Sequence, residues 1–239
     1  MTPALPGRAW EAAFLGVRTY HRLWPTSAKA RRRWPMFRVP PGGVALTVDD
    51  GPDPRWTPAL LDLLDAYAVP ATFFLIGARV AQHPRLARRI AEAGHEIGNH
   101  SMHHPMPFAA LPTARLRDEV QRAQQQITDV VGQAARLFRA PSGGWSPRVL
   151  DTVTRAGLTP VDWTVNSSDW KQPGVAHITR TLTRSRSGHV LLCHDGGGDR
   201  WQTVVALAAV IPRLQRRGLR FVRVPPAPGP GRPSYAGRS

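Results

Sequence analysis

The chain has one cysteine, two lysines and no long apolar run, and each shortage removes an explanation. With Cys193 alone, no internal disulfide forms, so the fold rests on a packed core rather than on covalent staples. No stretch of about 18 apolar residues occurs, which excludes a membrane-crossing helix readable from hydropathy. Glu11 interrupts the apolar stretch near the N-terminus, so no secretory h-region forms there. The expectation is a cytoplasmic protein or the leaderless form of a secreted one, with compartment and oligomeric state left open. Internal repeats and coiled-coil heptads are also missing.

Positive charge, by contrast, is abundant. Among 239 residues, 32 are Lys or Arg and 16 are Asp or Glu, a formal net charge of +16. Lys29 and Lys171 are the only lysines, so arginine carries nearly all of it. Such a surface favours anionic partners. The arginines are scattered rather than interleaved with aromatics, and no nucleic-acid motif is present, so nucleic-acid binding is not expected. Weak attraction to an anionic surface such as a cell-wall polymer is.

The most informative segment is Thr47-Val48-Asp49-Asp50-Gly51-Pro52. It ends the apolar run Val44–Val48, which reads as a buried strand, and Gly51 and Pro52 then force a turn. Two adjacent carboxylates repel one another unless positive charge lies beside them. A metal ion is the common remedy, with one Asp as ligand and the other as base. About fifty residues on, His100-Ser101-Met102-His103-His104 sets two imidazoles four positions apart, which a helical turn would place on one face. Two His and one Asp with an open position form the ligand set of a catalytic zinc site. Spacing alone leaves His103 as a substitute for His104.

Two later segments supply further chemistry. Arg139-Ala140-Pro141-Ser142-Gly143-Gly144 carries an arginine into a glycine-rich loop that can aim backbone N–H groups at an oxyanion. Leu191-Leu192-Cys193-His194-Asp195 ends a strand on a histidine able to act as a general acid near neutral pH. Alternation turns Cys193 to the opposite face from His194, into the core. Trp145, Trp163, Trp170 and Trp201 lie near these motifs and offer candidate stacking surfaces, and Trp145 and Trp170 are the two taken as substrate contacts.

These motifs, in this order, resemble the polysaccharide deacetylase family, or NodB-homology domain. Thr47–Pro52 matches TFDDGP with Val for Phe, and His100–His104 matches H-[ST]-x-x-H. Arg139–Ser142 stands for R-x-P-Y, Asn166–Trp170 for D-x-x-D-W, and Leu192–His194 for L-x-H. The resemblance spans roughly residues 42–224. It implies that Asp50, His100 and His104 bind a divalent metal, expected to be zinc, which polarises the acetyl carbonyl and acidifies water. Asp49 would be the base, oriented by Arg139, and the Ser142 backbone N–H would help hold the oxyanion. His194 would protonate the departing amine, with Asp169 as the expected partner that tunes it. Two departures stand out. Ser142 replaces a tyrosine, and Asn166 replaces the first Asp of the fourth motif, so the charge on His194 must come from Asp169 or Asp195, or be absent.

The expected fold is α/β: a distorted (β/α) barrel of about seven parallel strands in a single domain, the barrel itself being what the resemblance implies. Strand patterns at Val44–Val48, Thr72–Leu75, His95–Ile97, Leu137–Phe138, Pro160–Trp163, Val190–Cys193 and Leu219–Val224 alternate with helical ones at Pro58–Tyr67, Pro84–Ala93, Ala114–Val131, Arg148–Ala156 and Gln202–Arg217. Residues 1–38 read as a basic amphipathic arm, 39–224 as the barrel, and 225–239 as a Pro/Gly-rich disordered tail. The expected activity is metal-dependent removal of acetyl groups from N-acetylated amino sugars of an oligo- or polysaccharide, chitin- or peptidoglycan-like. The alternatives are hydrolysis of a non-sugar C–N amide or of O-acetyl esters on a glycan, and, from another class, glycan or nucleic-acid binding without catalysis.

Overall fold

The computed structural model describes residues 35–226, so the N-terminal arm up to residue 34 and the tail from residue 227 lie outside the described residues. The central strand is β1 (Gly43–Asp49), buried along all seven residues. It is followed by β2 (Thr72–Leu75), β3 (Glu96–Asn99), β4 (Leu137–Phe138), β5 (Thr159–Pro160), β6 (Val165–Asn166), β7 (Val190–His194) and β8 (Arg220–Phe221). The order across the sheet is β5-β4-β3-β2-β1-β7-β6, and β8 pairs with the start of β1. Every pairing between these strands is parallel.

Parallel neighbours need crossovers, and helices supply them. These are α1 (Trp56–Ala66), α2 (Gly77–Gln82), α3 (Pro84–Glu92), α4 (Thr113–Val131), α5 (Pro147–Arg155), α6 (Val175–Thr183) and α7 (Trp201–Arg216). Their ends follow local chemistry. Ser146 caps α5 by accepting the Val149 N–H at 3.3 Å, with Pro147 in the first turn. Gly132 ends α4 in the left-handed region at φ 77°, its N–H bonded to Thr128 O.

The sheet curls into a (β/α) barrel that its edge strands do not close directly. Met36–Val39 bridges the gap instead: Met36 N donates to Pro160 O at 2.8 Å, and Val39 N to Gly188 O at 3.1 Å. Strand alternation sorts two apolar layers. Val44, Leu46, Val48, Leu191 and Cys193 pack outward against Leu60, Leu64, Leu207 and Val210 of the helices. Ala45, Phe74, Val190 and Leu192 fill the barrel with Val161 and Trp163. Cys193 therefore lies in the outer core, as its alternation predicts. The same alternation delivers Asp49 and His194 to the inner face, where they are direct register partners at the ends of β1 and β7.

The helices expected from periodicity are present within one or two residues at each end. Two short helices, α2 and α6, and strand β6 carried too little periodic pattern to be expected. No helix among the described residues is long and apolar enough to cross a membrane.

Candidate active site

Asp49 is the last residue of β1 and is 3% exposed. Its Oδ1 lies 2.7 Å from Arg139 Nη1, which also donates to Thr47 Oγ1 at 2.7 Å. Arg139 follows β4 and is fully buried, with its guanidinium 4.2 Å over the Phe74 ring and its Nη2 donating to Asp162 O at 3.0 Å. A charge this deep is tolerated only when paired, and the contact between Arg139 and Asp49 fixes the direction of both side chains.

The chain turns at Asp50, which adopts φ 75° and breaks the strand alternation. Both carboxylates thereby face the barrel mouth. Asp50 Oδ1 stands 3.4 Å from His100 Nε2 and 3.5 Å from His104 Nε2. It is buried and has no hydrogen-bond partner. An orphaned carboxylate oxygen is costly unless a cation occupies the gap it faces. One ligand atom each from Asp50, His100 and His104 lies within 4.8 Å of the others. A carboxylate and two imidazoles so grouped suit a divalent ion of the zinc type.

His100 directly follows β3, and its Nδ1 sits 2.8 Å from Arg139 O. That contact assigns the proton to Nδ1 and leaves Nε2 free as a candidate ligand atom. The helical turn expected for His100–His104 does not form. The segment is an irregular loop in which Ser101 N donates to Asn99 Oδ1 and His104 N to Ser101 Oγ, with His104 at φ 54°. Close approach of the two rings, 5.0 Å between centroids, comes from this turn. The spacing ambiguity also resolves. His103 points away, its Nδ1 2.9 Å from Glu119 Oε1 and its backbone N–H donating to Glu119 Oε2 on α4.

The electrostatics follow the geometry. Burial opposes charge on Asp50, yet the close approach and positive charges of His100, His194 and His104 hold its carboxyl well below the ordinary range. Burial also works against charging His100, but Asp49 and Asp50 outweigh it and raise its pKa. For His104, burial and the neighbouring His100 prevail and lower it.

Across the mouth, His194 Nδ1 lies 2.7 Å from Asp169 Oδ1, and the His194 backbone N–H donates to Asp169 Oδ2. Thr203 Oγ1 on α7 donates to that same oxygen at 2.9 Å. Asp169, rather than Asp195, is thus the carboxylate that serves His194. Burial resists charge on His194, but Asp169, with Asp50 and Asp49 beyond, pushes its pKa up to about 9. Asp195 turns to Thr57 Oγ1 at 2.5 Å, and burial pushes its carboxyl up to about 7. Asn166 accepts the Ser168 N–H at 2.7 Å and shapes the turn before Asp169.

These groups open into a cleft of about 330 Å³ that includes Asp49, Asp50, His100, His104, Ser142 and His194. Ser142 sits in a tight turn at φ 52°, which is closed by the Gly143 and Gly144 N–H groups. Trp170 is 37% exposed on the rim. Trp145 is not a cleft residue. It is 8% exposed in a separate core cluster, its ring 6.1 Å from Phe138, because the loop after β4 folds it inward against Phe108 and Val149. Sequence reasoning passed over Asp162, whose carbonyl seats Arg139, and Met106 and Arg200, which also line the cleft. Only their proximity in space marks them.

The family profile described as Polysaccharide deacetylase matches residues 38–161. A chitooligosaccharide deacetylase of Bradyrhizobium is 44% identical over 195 residues, covering 76% of this chain and 89% of that protein. A peptidoglycan-N-acetylglucosamine deacetylase of Bacillus cereus is 41% identical over 184 residues, covering 76% and 85%. Among solved structures, a peptidoglycan N-acetylglucosamine deacetylase in complex with 4-naphthalen-1-yl-N-oxidanyl-benzamide superposes with a TM-score of 0.79. It is 35% identical, covering 84% of this chain and 95% of that one. By profile, sequence and fold alike, the chain belongs to the polysaccharide deacetylase family.

Proposed function

We propose that the protein is a metal-dependent deacetylase that hydrolyses N-acetyl groups on amino sugars of an acetylated oligo- or polysaccharide. Its similarity to chitooligosaccharide and peptidoglycan deacetylases supports the substrate class. The observation that carries the chemistry is the orphaned Asp50 Oδ1, set between His100 Nε2 and His104 Nε2.

Asp50, His100 and His104 would hold a divalent cation, expected to be zinc, which would supply Lewis acidity and lower the pKa of water. Asp49 takes the proton from the attacking water. Arg139 holds Asp49 aimed at the mouth through a 2.7 Å hydrogen bond. The Ser142 N–H donates to the oxygen that gains charge in the tetrahedral intermediate. His194, kept protonated by Asp169, gives its proton to the departing amine. Proton uptake at Asp49 and release from His194 lie on opposite sides of one register pair, so attack and departure are served by separate groups. Trp170 on the rim offers a face for a sugar ring.

The test is acetate release from N-acetylglucosamine oligomers by the zinc-loaded protein, after chelation, and by an Asp49→Asn variant. Release that disappears in both controls supports the reading. No release from the loaded wild type would sink it.

A further inference from the structure

Arg200 is the charged side chain of the cleft that the proposed chemistry leaves unused. It stands just before α7 and is 4% exposed. Its Nε donates to Gly196 O at 2.8 Å, and its Nη1 to Trp170 O and Asp199 O at 3.3 and 3.2 Å. These three carbonyls occupy one side of the guanidinium and supply no counter-charge. Among the described residues Nη2 makes no hydrogen bond, and Arg200 lines the cleft.

The nearby carboxylates are committed elsewhere. Asp49 is matched to Arg139, Asp169 to His194 and Asp53 to Arg79. Asp195 accepts from Thr57, the Asp199 carboxylate takes the Trp201 N–H, and Asp50 faces its two histidines. No carboxylate among the described residues lies within ion-pair distance of Arg200. A guanidinium removed from water without an anion carries a large desolvation cost, which a ligand anion would repay.

Position narrows the ligand. Gly197, at φ 75°, separates Arg200 from Asp50. A Cβ there would lie 3.4 Å from Arg200 Nη2 and 3.1 Å from Asp50 Oδ2. The free edge of the guanidinium is therefore within one residue's breadth of the candidate metal ligand, and its Nη1 is anchored beneath the exposed Trp170. A group bound there belongs to the sugar being deacetylated or to the one joined to it.

We infer that Arg200 is a specificity residue that binds a carboxylate carried by the glycan next to the N-acetyl group under attack. Substrates bearing an acid on the neighbouring sugar, such as a uronate or a lactyl ether, are then preferred over neutral N-acetylglucosamine chains. The inference rests on the proposed deacetylase reading and deepens it by naming the substrate's charge. A charge-assisted bond to a desolvated guanidinium gives a preference of about tenfold or more.

The experiment compares kcat/KM for acetate release from two oligosaccharides of equal length, one neutral and one with carboxylates on alternate sugars. It uses the zinc-loaded wild type, Arg200→Gln and Arg200→Lys. The same pairs are titrated by calorimetry, so carboxylate recognition is read apart from turnover. The expected result is an acidic-to-neutral ratio of about ten in both readouts, close to one in Arg200→Gln and intermediate in Arg200→Lys. Loss of the loop clamp alone would depress both substrates together and leave the ratio in place, which would overturn the inference. So would equal treatment of the two substrates by the wild type. Acetate is itself a carboxylate, and inhibition by acetate that weakens in Arg200→Gln with an unchanged substrate ratio would place the bound anion on the product instead. Absence of acetate release with a calorimetric preference intact would defeat the deacetylase reading and leave the carboxylate site standing.

Discussion

Asp169 grips His194 twice, through a 2.7 Å contact to the imidazole Nδ1 and a 2.8 Å bond from the His194 backbone N–H. The double contact fixes the ring's orientation as well as its charge. His194 thereby turns Nε2 to the cleft, opposite Asp49 on β1, as the proposed acid role requires.

A pH profile follows from that pair. With His194 as the proposed general acid, kcat/KM is expected to fall as pH rises through its pKa, about 9 in this protein. Asp169→Asn removes the charge and moves the falling limb to lower pH, with a loss of about a hundredfold above neutrality. The stability sign agrees. A raised histidine pKa adds stability that is full below about 6.5, its ordinary value, and is lost as pH climbs through about 9. Urea unfolding of wild type and variant at pH 6 and pH 10 reads the difference, which narrows at the higher pH.

Arg139 is expected to matter for folding before it matters for catalysis. Replacing it by Met strands Asp49 in the barrel and breaks the bonds to Thr47 Oγ1 and Asp162 O. The expected cost is about 3–5 kcal/mol, measured by denaturant unfolding. Asp49→Asn keeps a hydrogen-bonding side chain at that position and lowers kcat by about a hundredfold or more, with the smaller stability loss.

The two tryptophans should separate cleanly. Trp145→Ala opens a cavity beside Phe138 and Val149 and costs about 3–5 kcal/mol. Trp170→Ala removes rim surface, raises KM several-fold and changes stability by about 0.5 kcal/mol or less. Thermal melts beside oligosaccharide kinetics distinguish them. A melt unchanged in Trp145→Ala would contradict the burial.

Metal removal has its own signature. Chelation removes a ligand that binds only the folded chain, so Tm falls, and readdition of zinc restores it. His104→Ala weakens that rescue, whereas His103→Ala, which alters a contact to Glu119 instead, leaves zinc affinity near the wild-type value. Competition with a chromophoric chelator measures both.

Much of this site was legible from local pattern. A period-two apolar run ending on Asp49 fixes which face that side chain takes, and the Leu191-Leu192-Cys193-His194 alternation does the same for His194. What local pattern could not settle depends on chain brought together from far away. His103 and His104 are equally placed by spacing, and only Glu119 on α4 draws the first aside. Asp169 and Asp195 are equally acidic in sequence, and the choice between them is made by the fold over 25 residues. Trp145 directly follows the glycine-rich loop, yet packing with Phe108 turns it inward. Four-residue spacing at His100–His104 says nothing of the left-handed backbone at Ser101 and His104, which brings the rings together without a helical turn. Arg200 carried no sequence signal, since one arginine among so many is marked only by its burial.

The central claim is that one cation, held by Asp50, His100 and His104, is required to hydrolyse an N-acetyl bond. It is tested most directly by titrating zinc into chelated protein while acetate and free amine are counted from an N-acetylglucosamine oligomer. Equal amounts of the two products are expected, with a rate that saturates at one zinc per chain. Product formation that is already maximal in the chelated protein, or that never appears at any zinc level, would contradict it.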